Sequence, residues 1–146
     1  MSGFSVRIAR PEDFPAITAL LTANGLPTED LPSAPARFFL AQTESGDLLA
    51  CGGVECHGDL GLLRSLAVRT DQRGAGLGTA LVEASLTYAQ KAGHSAVYLL
   101  TNTAKPYFHR RGFATIPRAE TPPAIRKTAE FSHLCPDSAV VMCRKL

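Results

Sequence analysis

Apolar positions change their spacing several times along the 146 residues, and those changes divide the chain into elements. Phe4 to Ile8 alternates and predicts a first strand. A helical stripe follows at Phe14, Ile17, Leu20 and Leu21. Asp13 suits its N-cap, Pro15 falls where no N–H is needed, and Asn24-Gly25 closes it. Leu26 to Ala36 carries Pro27, Pro32 and Pro35 and reads as a loop with one helical turn at residues 28–31. Alternation resumes at Arg37 to Thr43, turns at Glu44-Ser45-Gly46-Asp47, and returns from Leu48 to Cys56, where Gly52-Gly53 permits a bulge or a close approach. His57-Gly58-Asp59 then reverses the chain into Leu60–Val68, nearly all apolar, as a strand covered on both faces requires.

The second half opens with a helix from Gly78 to Ala92 that buries Leu81, Ala84, Ser85, Tyr88 and Ala89, with Gly93 as its C-cap. At these positions Tyr88 reads as core rather than as chemistry. A fifth strand, Ser95 to Leu100, a short helical segment ending at Gly112-Phe113, a strand from Ala114, a turn with Thr121 at an N-cap and Pro122 at N1, and a last strand Ser138 to Cys143 complete the order. The pattern predicts an α/β (mixed α+β) fold: one domain over residues 1–146, a twisted mixed sheet of six to seven strands, and helices on both faces.

The most informative stretch runs from Leu62 to Ala84: an apolar strand, the polar turn Arg69-Thr70-Asp71-Gln72, the loop Arg73-Gly74-Ala75-Gly76-Leu77-Gly78, and a helix opening directly from it. A helix start presents unpaired N–H groups and a positive dipole end, and glycines let an anion approach them. The plain alternative is a structural left-handed turn. A P-loop is excluded because Thr79-Ala80, not Lys-Ser/Thr, follows Gly78. A dinucleotide fingerprint is disfavoured because the next strand, Val97-Tyr98-Leu99-Leu100-Thr101, holds no acidic residue.

Val68 followed by Arg73–Gly78 resembles the acyl-CoA pyrophosphate loop (R/Q-x-x-G-x-G/A) of the GNAT acetyltransferase superfamily. LLRSLAV, LLTNTA and IRKTAEFSHLCPDSAVVM are together similar to the arsenic-resistance-associated N-acetyltransferases and, more distantly, to amino-acid (glutamate-type) N-acetyltransferases. The resemblance implies acetyl-CoA as co-substrate, its diphosphate on Arg73, Gly74, Ala75, Gly76, Leu77, Gly78 and Thr79, and its pantetheine paired with Leu66, Ala67 and Val68. It also assigns Thr101, Ala104 and Phe108 to the cofactor, with the loop after Leu26 walling the acceptor pocket. Two positions depart from the family: Thr101 replaces an asparagine that bonds pantetheine, and Phe108 replaces the tyrosine that protonates the leaving thiolate. Tyr107 is adjacent but about 100° round the helix, leaving it a candidate acid or a packing residue. The Leu66 N–H is the candidate oxyanion donor and Glu55 the candidate base. Arg64, inside an apolar strand and two residues before Leu66 on the same expected face, is costly to bury without an anion. With Arg118 or Arg126 it either grips an anionic substrate or forms an internal ion pair.

The expected activity is acetyl transfer to the amine of a small, acidic amino acid or an organoarsenical or phosphinic analogue, by direct attack in a ternary complex. The alternatives are a non-catalytic acyl-CoA sensor and a protein N-acetyltransferase. A net charge of +2 without a basic run argues against nucleic acid. No apolar run suggests a membrane span or signal peptide, so the expected setting is cytoplasmic, with a small-molecule amine as partner and a homodimer as the assembly considered. The four cysteines, Cys51, Cys56, Cys135 and Cys143, show no C-x-x-C spacing and read as reduced thiols. Cys56-His57 with His133-x-Cys135 lacks metal-ligand spacing, and no metal is expected.

Overall fold

A computed structural model describes residues 3–31, 36–74, 76–134 and 138–146. Ala75 of the glycine loop, Pro32 and Pro35, and Cys135 with the zinc arrangement drawn on it lie outside the described residues. The elements run β1 (Ser5–Ile8), α1 (Phe14–Ala23), β2 (Ala36–Gln42), β3 (Leu48–His57), β4 (Leu60–Val68), α2 (Leu77–Lys91), β5 (Ala96–Thr101), α3 (Lys105–His109), β6 (Ala114–Ile116), α4 (Pro123–Arg126) and β7 (Val140–Lys145). Seven strands form one mixed sheet in the order β1-β2-β3-β4-β5-β7-β6. Every neighbouring pair is antiparallel except β4 and β5.

The alternation of β2 assigns the two faces. Phe38 and Leu40 meet Ile17, Leu20 and Leu21 of α1, whereas Phe39 and Ala41 meet Leu77 and Leu81 of α2. Burial of the leucine, isoleucine and phenylalanine side chains among these contributes roughly 1.5–3 kcal/mol each, which fastens a helix to either side of the sheet. The buried stripe of α2 is Leu77, Leu81, Val82, Ser85, Leu86 and Ala89. Ala84 and Tyr88, expected inside, are half-buried, because Val82 and Leu86 turn toward β3, β4 and β5 and rotate the stripe. Ser85 satisfies its hydroxyl on the Leu81 carbonyl at 2.9 Å.

Three expectations of local structure change in detail. Asp13 stands at the N-cap of α1, as expected, but makes no cap bond with its side chain: a 3₁₀ turn at Pro11–Asp13 precedes the helix, and the carboxylate accepts the Arg10 N–H at 2.7 Å and the Arg7 guanidinium at 2.8 and 2.9 Å. Thr121 is not the cap of α4. Pro122, extended at φ −58° and ψ 147° before another proline, takes that place and moves the helix start to Pro123.

The third correction bears on the site. Gly53 pairs with Arg64 and Cys51 with Ala67, so the extra residue lies in β4, not at Gly52-Gly53. Ser65 absorbs it at φ 58°, a conformation that costs on the order of 1–3 kcal/mol for a non-glycine residue. Gly52 is instead the close approach: a Cβ there would stand 3.1 Å from Leu66 Cδ1. Arg64 and Leu66, expected on one face, are therefore on opposite faces of β4. Leu66 packs on the α2 side, and Arg64 lies on the side of Ala67 and α1.

Candidate active site

The sheet opens at its centre. β4 and β5 are in register only from Leu60 with Ala96 to Leu62 with Tyr98. Past that point β5 stays paired along β7 while β4 bends away through its bulge. Two cavities occupy the opening. One, about 190 Å³, lies between residues 62–66 of β4 and Leu99, Leu100 and Phe108 opposite, with Leu26, Pro27 and Glu130 over it. The other, about 490 Å³, runs from Leu66, Ala67 and Val68 to the glycine loop and the start of α2. Leu66, Ala104 and Tyr107 line both, so the two spaces meet at that point.

The loop end of the larger cavity is shaped for an anion. Gly74 and Gly76 take φ of 87° and 80°, which L side chains adopt only under strain, and a Cβ on either would meet nothing within 4 Å. The first helical bond of α2 joins the Ala80 N–H to the Gly76 carbonyl at 3.1 Å, so the N–H groups of Leu77, Gly78 and Thr79 precede the ladder at its positive end. Arg73 adds a cation, donating to Asn24 Oδ1 at 2.7 Å. Open backbone donors, glycine clearance and a channel leading to β4 fit a long phosphorylated thioester.

The smaller cavity is bordered by a buried ionic cluster. Arg64, 4% exposed, donates from its two terminal nitrogens to Asp30 at 2.5 and 2.7 Å and from Nε to Ser65 Oγ at 3.1 Å. Glu130 Oε1 stands 3.3 Å from Nε, and Glu55 Oε2 3.8 Å from Nη1. Burial works against the Arg64 charge, but the Asp30 hydrogen bonds and the surrounding carboxylates hold its pKa above the ordinary value. Burial pushes the Glu55 carboxyl up, with Arg64 and His57 pulling the other way. His57 Nε2 is 3.6 Å from Glu55 Oε1.

Most sequence-predicted residues converge here: Leu66, Ala67, Val68, Arg73, Gly74, Gly76, Leu77, Gly78, Thr79, Ala104, Tyr107 and Phe108 all line one cavity or both. Thr101 does not; its hydroxyl accepts the Ala104 N–H at 3.1 Å and shapes the entry to α3. Glu55 lies behind Arg64 rather than on the wall. Arg64 is on the wall, but the bidentate carboxylate expected from a substrate is supplied by Asp30. Arg118 and Arg126 are not brought to it: Arg118 donates to the Ala139 carbonyl at 3.0 Å and stacks on Phe131, and Arg126 is exposed on α4. Sequence reasoning missed Asp30, Ser65, Arg111 and Glu130. The buried arginine signalled that a carboxylate was needed, but not which of thirteen.

The three described cysteines carry no nucleophile. Burial lifts the Cys51 thiol to about 12 and raises Cys56 and Cys143 as well. Among the described residues no group of His, Cys, Asp and Glu is arranged for a metal, and no helix is long and apolar enough to cross a membrane.

A parallel pair splayed at mid-sheet, with a glycine cradle at one end and a second cavity at the other, fits a transferase of the acyl-thioester class. Residues 34–115, more than half of the chain, match the family model described as an acetyltransferase (GNAT) domain, and the chain belongs to that family. Solved structures agree in fold. A GNAT-family acetyltransferase from Staphylococcus aureus Mu50 superposes with a TM-score of 0.81 at 14% identity, covering 99% of both chains. Rv2747 from Mycobacterium tuberculosis, solved with CoA and NLQ, gives 0.81 at 26% identity over 97% of this chain and 99% of that one. N-acetylglutamate synthase from Neisseria gonorrhoeae, solved with coenzyme A and N-acetyl-glutamate, gives 0.82 at 24% identity; all of this chain is covered, but only 36% of that protein. Comparison with curated proteins returns no match.

Proposed function

We propose that this acyltransferase moves the acetyl group of acetyl-CoA to the amine of a small amino acid, an acidic one or its organoarsenical or phosphinic analogue, by direct attack in a ternary complex. The observation that carries the reading is the meeting of the two cavities at Leu66. The larger cavity holds a diphosphate on the 74–79 donors and leads the thioester along Leu66–Val68 to the smaller one. The Leu66 N–H serves the developing oxyanion. Direct attack is favoured because Cys51 is buried, Cys56 and Cys143 are half-buried, and all three thiols are held protonated. The leaving thiol, with an ordinary pKa of about 8.5, departs without a dedicated acid, so phenylalanine at 108 is compatible with turnover.

Acceptor recognition rests on the Arg64 cluster. The Glu130 carboxylate lines the smaller cavity, which favours an ammonium there. Glu130, on the wall, is better placed than Glu55 to take the proton from that amine. An acidic acceptor reaches Arg64 by exchanging with Asp30, one bidentate carboxylate for another, so the buried guanidinium keeps its partner. A second reading, a neutral or cationic amine, is favoured by the Asp30 pair as it stands, since such an acceptor leaves it closed.

Thiol release from acetyl-CoA, measured against glutamate, aspartate, a phosphinic analogue, glutamine and arginine, separates the readings. The first expects acidic acceptors to lead and Asp30→Ala to lower their KM by removing the competing carboxylate. A KM for acidic acceptors that rises or stays fixed in Asp30→Ala favours the second, and no release with any amine returns the chain to the sensor reading.

A further inference from the structure

Arg64 is surrounded by carboxylates; Arg111, just beyond α3, is not. Among the described residues no carboxylate pairs with it. Its Nη2 donates to Thr79 Oγ1 at 2.8 Å, its guanidinium carbon stands 4.8 Å from the centre of the Tyr107 ring, and its buried Nε has no hydrogen-bond partner. The Tyr107 hydroxyl in turn lies 2.9 Å from Thr79 Oγ1 and 3.9 Å from where a Cβ on Gly78 would stand. That oxygen therefore sits in the glycine loop, at the mouth of α2.

Hydrogen-bond counting gives this group a direction. A guanidinium only donates, so Thr79 Oγ1 is an acceptor toward Arg111. One of the two hydroxyl hydrogens of Thr79 and Tyr107 is used between them, and the other is left over. The chain of bonds thus begins in a cation, ends in a spare donor, and opens on a cavity lined by backbone N–H groups. A half-buried guanidinium is costly without an anion, and this one has a hydroxyl acceptor and a ring face beside it but no carboxylate among the described residues. The missing partner is an acceptor with negative charge.

We propose that Arg111, Thr79 and Tyr107 form a side-chain anchor for the diphosphate of the acyl-CoA substrate. Thr79 and Tyr107 bond the phosphate oxygens, and Arg111 is a positioning residue that orients both hydroxyls and supplies the charge. Tyr107 is thereby a binding residue and not the acid that protonates the thiolate. The inference rests on the acetyl-CoA reading above and adds side chains to a loop otherwise read through its backbone.

Calorimetry of the full chain with CoA, paired with kinetics on acetyl-CoA and on acetylpantetheine, which lacks the diphosphate, tests it. Arg111→Met is expected to weaken CoA by about tenfold, the worth of one charge-assisted contact, and to leave the KM for acetylpantetheine unchanged. Arg111→Lys recovers part of that loss. Thr79→Val, nearly isosteric, and Tyr107→Phe weaken CoA in the same direction, each with a larger loss toward CoA than toward acetylpantetheine. Wild-type CoA affinity in Arg111→Met, or equal losses toward CoA and acetylpantetheine, overturns the anchor. So does a Tyr107→Phe enzyme whose kcat falls while CoA binds normally. Failure of the unaltered protein to bind CoA at all removes the acetyl-CoA reading itself, and the anchor with it.

Discussion

Replacing Arg64 by methionine tests the buried cluster most directly. The side chain is 1% exposed and faces Asp30, Glu130 and Glu55, with side-chain exposures of 15, 9 and 4%. Removing the cation takes the shared guanidinium from all three carboxylates, and breaking one such pair typically costs about 3–5 kcal/mol. That is a large share of the roughly 5–15 kcal/mol that stabilises a domain. The loss depends on pH, and its sign follows from Glu55. Burial already raises that carboxyl, Arg64 is the first influence opposing the rise, and without it the folded-state value climbs further. A carboxyl raised on folding stabilises fully below its unfolded pKa, and that contribution is lost as pH rises through the folded value. Between pH 7.5 and 5.5 each carboxyl that takes up a proton on folding recovers up to about 2.7 kcal/mol. Urea denaturation of both proteins is therefore expected to show a deficit of about 3–5 kcal/mol at pH 7.5 that narrows clearly at pH 5.5. The double variant with Asp30→Asn should regain part of the deficit at pH 7.5. A deficit under about 1 kcal/mol, or one independent of pH, refutes the account of the cluster.

Other substitutions address separate parts of the argument. Gly53→Ala places a Cβ 2.6 Å from Phe38 Cδ1 and 3.0 Å from the Arg37 carbonyl, and a loss of about 1–3 kcal/mol in denaturant is expected. Gly76→Ala meets no neighbour but forces φ 80° on an alanine; it should cost about 1 kcal/mol and weaken CoA, both readable by thermal shift with and without CoA. Asp13 is held down to about 2 by Arg7, so Asp13→Asn should cost about 1 kcal/mol at neutral pH. That difference should vanish as pH falls through the native value, because the contribution exists only where the carboxylate is ionised. Joint replacement of Cys51, Cys56, Cys135 and Cys143 by alanine should leave kcat unchanged, and a hundredfold fall would restore a cysteine relay.

The sequence made the order of elements and the glycine cradle legible because both rest on local chemistry. Alternation, apolar runs and punctuation by glycine and proline specify strands and turns without reference to distant residues. The features it concealed are those that arise between segments. Parity along Leu60–Val68 placed Arg64 beside Leu66, and the inference failed on one residue, Ser65, whose positive φ no local rule demands of a serine. The bulge answers to its partner strand, where Gly52 leaves room for Leu66. Its consequence is positional: one strand carries Leu66 on the α2 side of the sheet and Arg64 on the α1 side.

The two arginines illustrate the same division. Arg64 was conspicuous because it interrupts an apolar strand, and it drew the substrate assignment; the fold gives it Asp30, 34 positions away. Arg111 was inconspicuous in His109-Arg110-Arg111-Gly112, a polar run ending a short helix, yet folding sets it on Thr79 and Tyr107 with no carboxylate beside it among the described residues. What distinguishes an arginine held for a ligand from one held for the fold is the inventory of anions around it, a property of the assembled chain. On that inventory the proposed diphosphate anchor calls on Arg111, and the proposed anionic acceptor has to contend with Asp30 for Arg64.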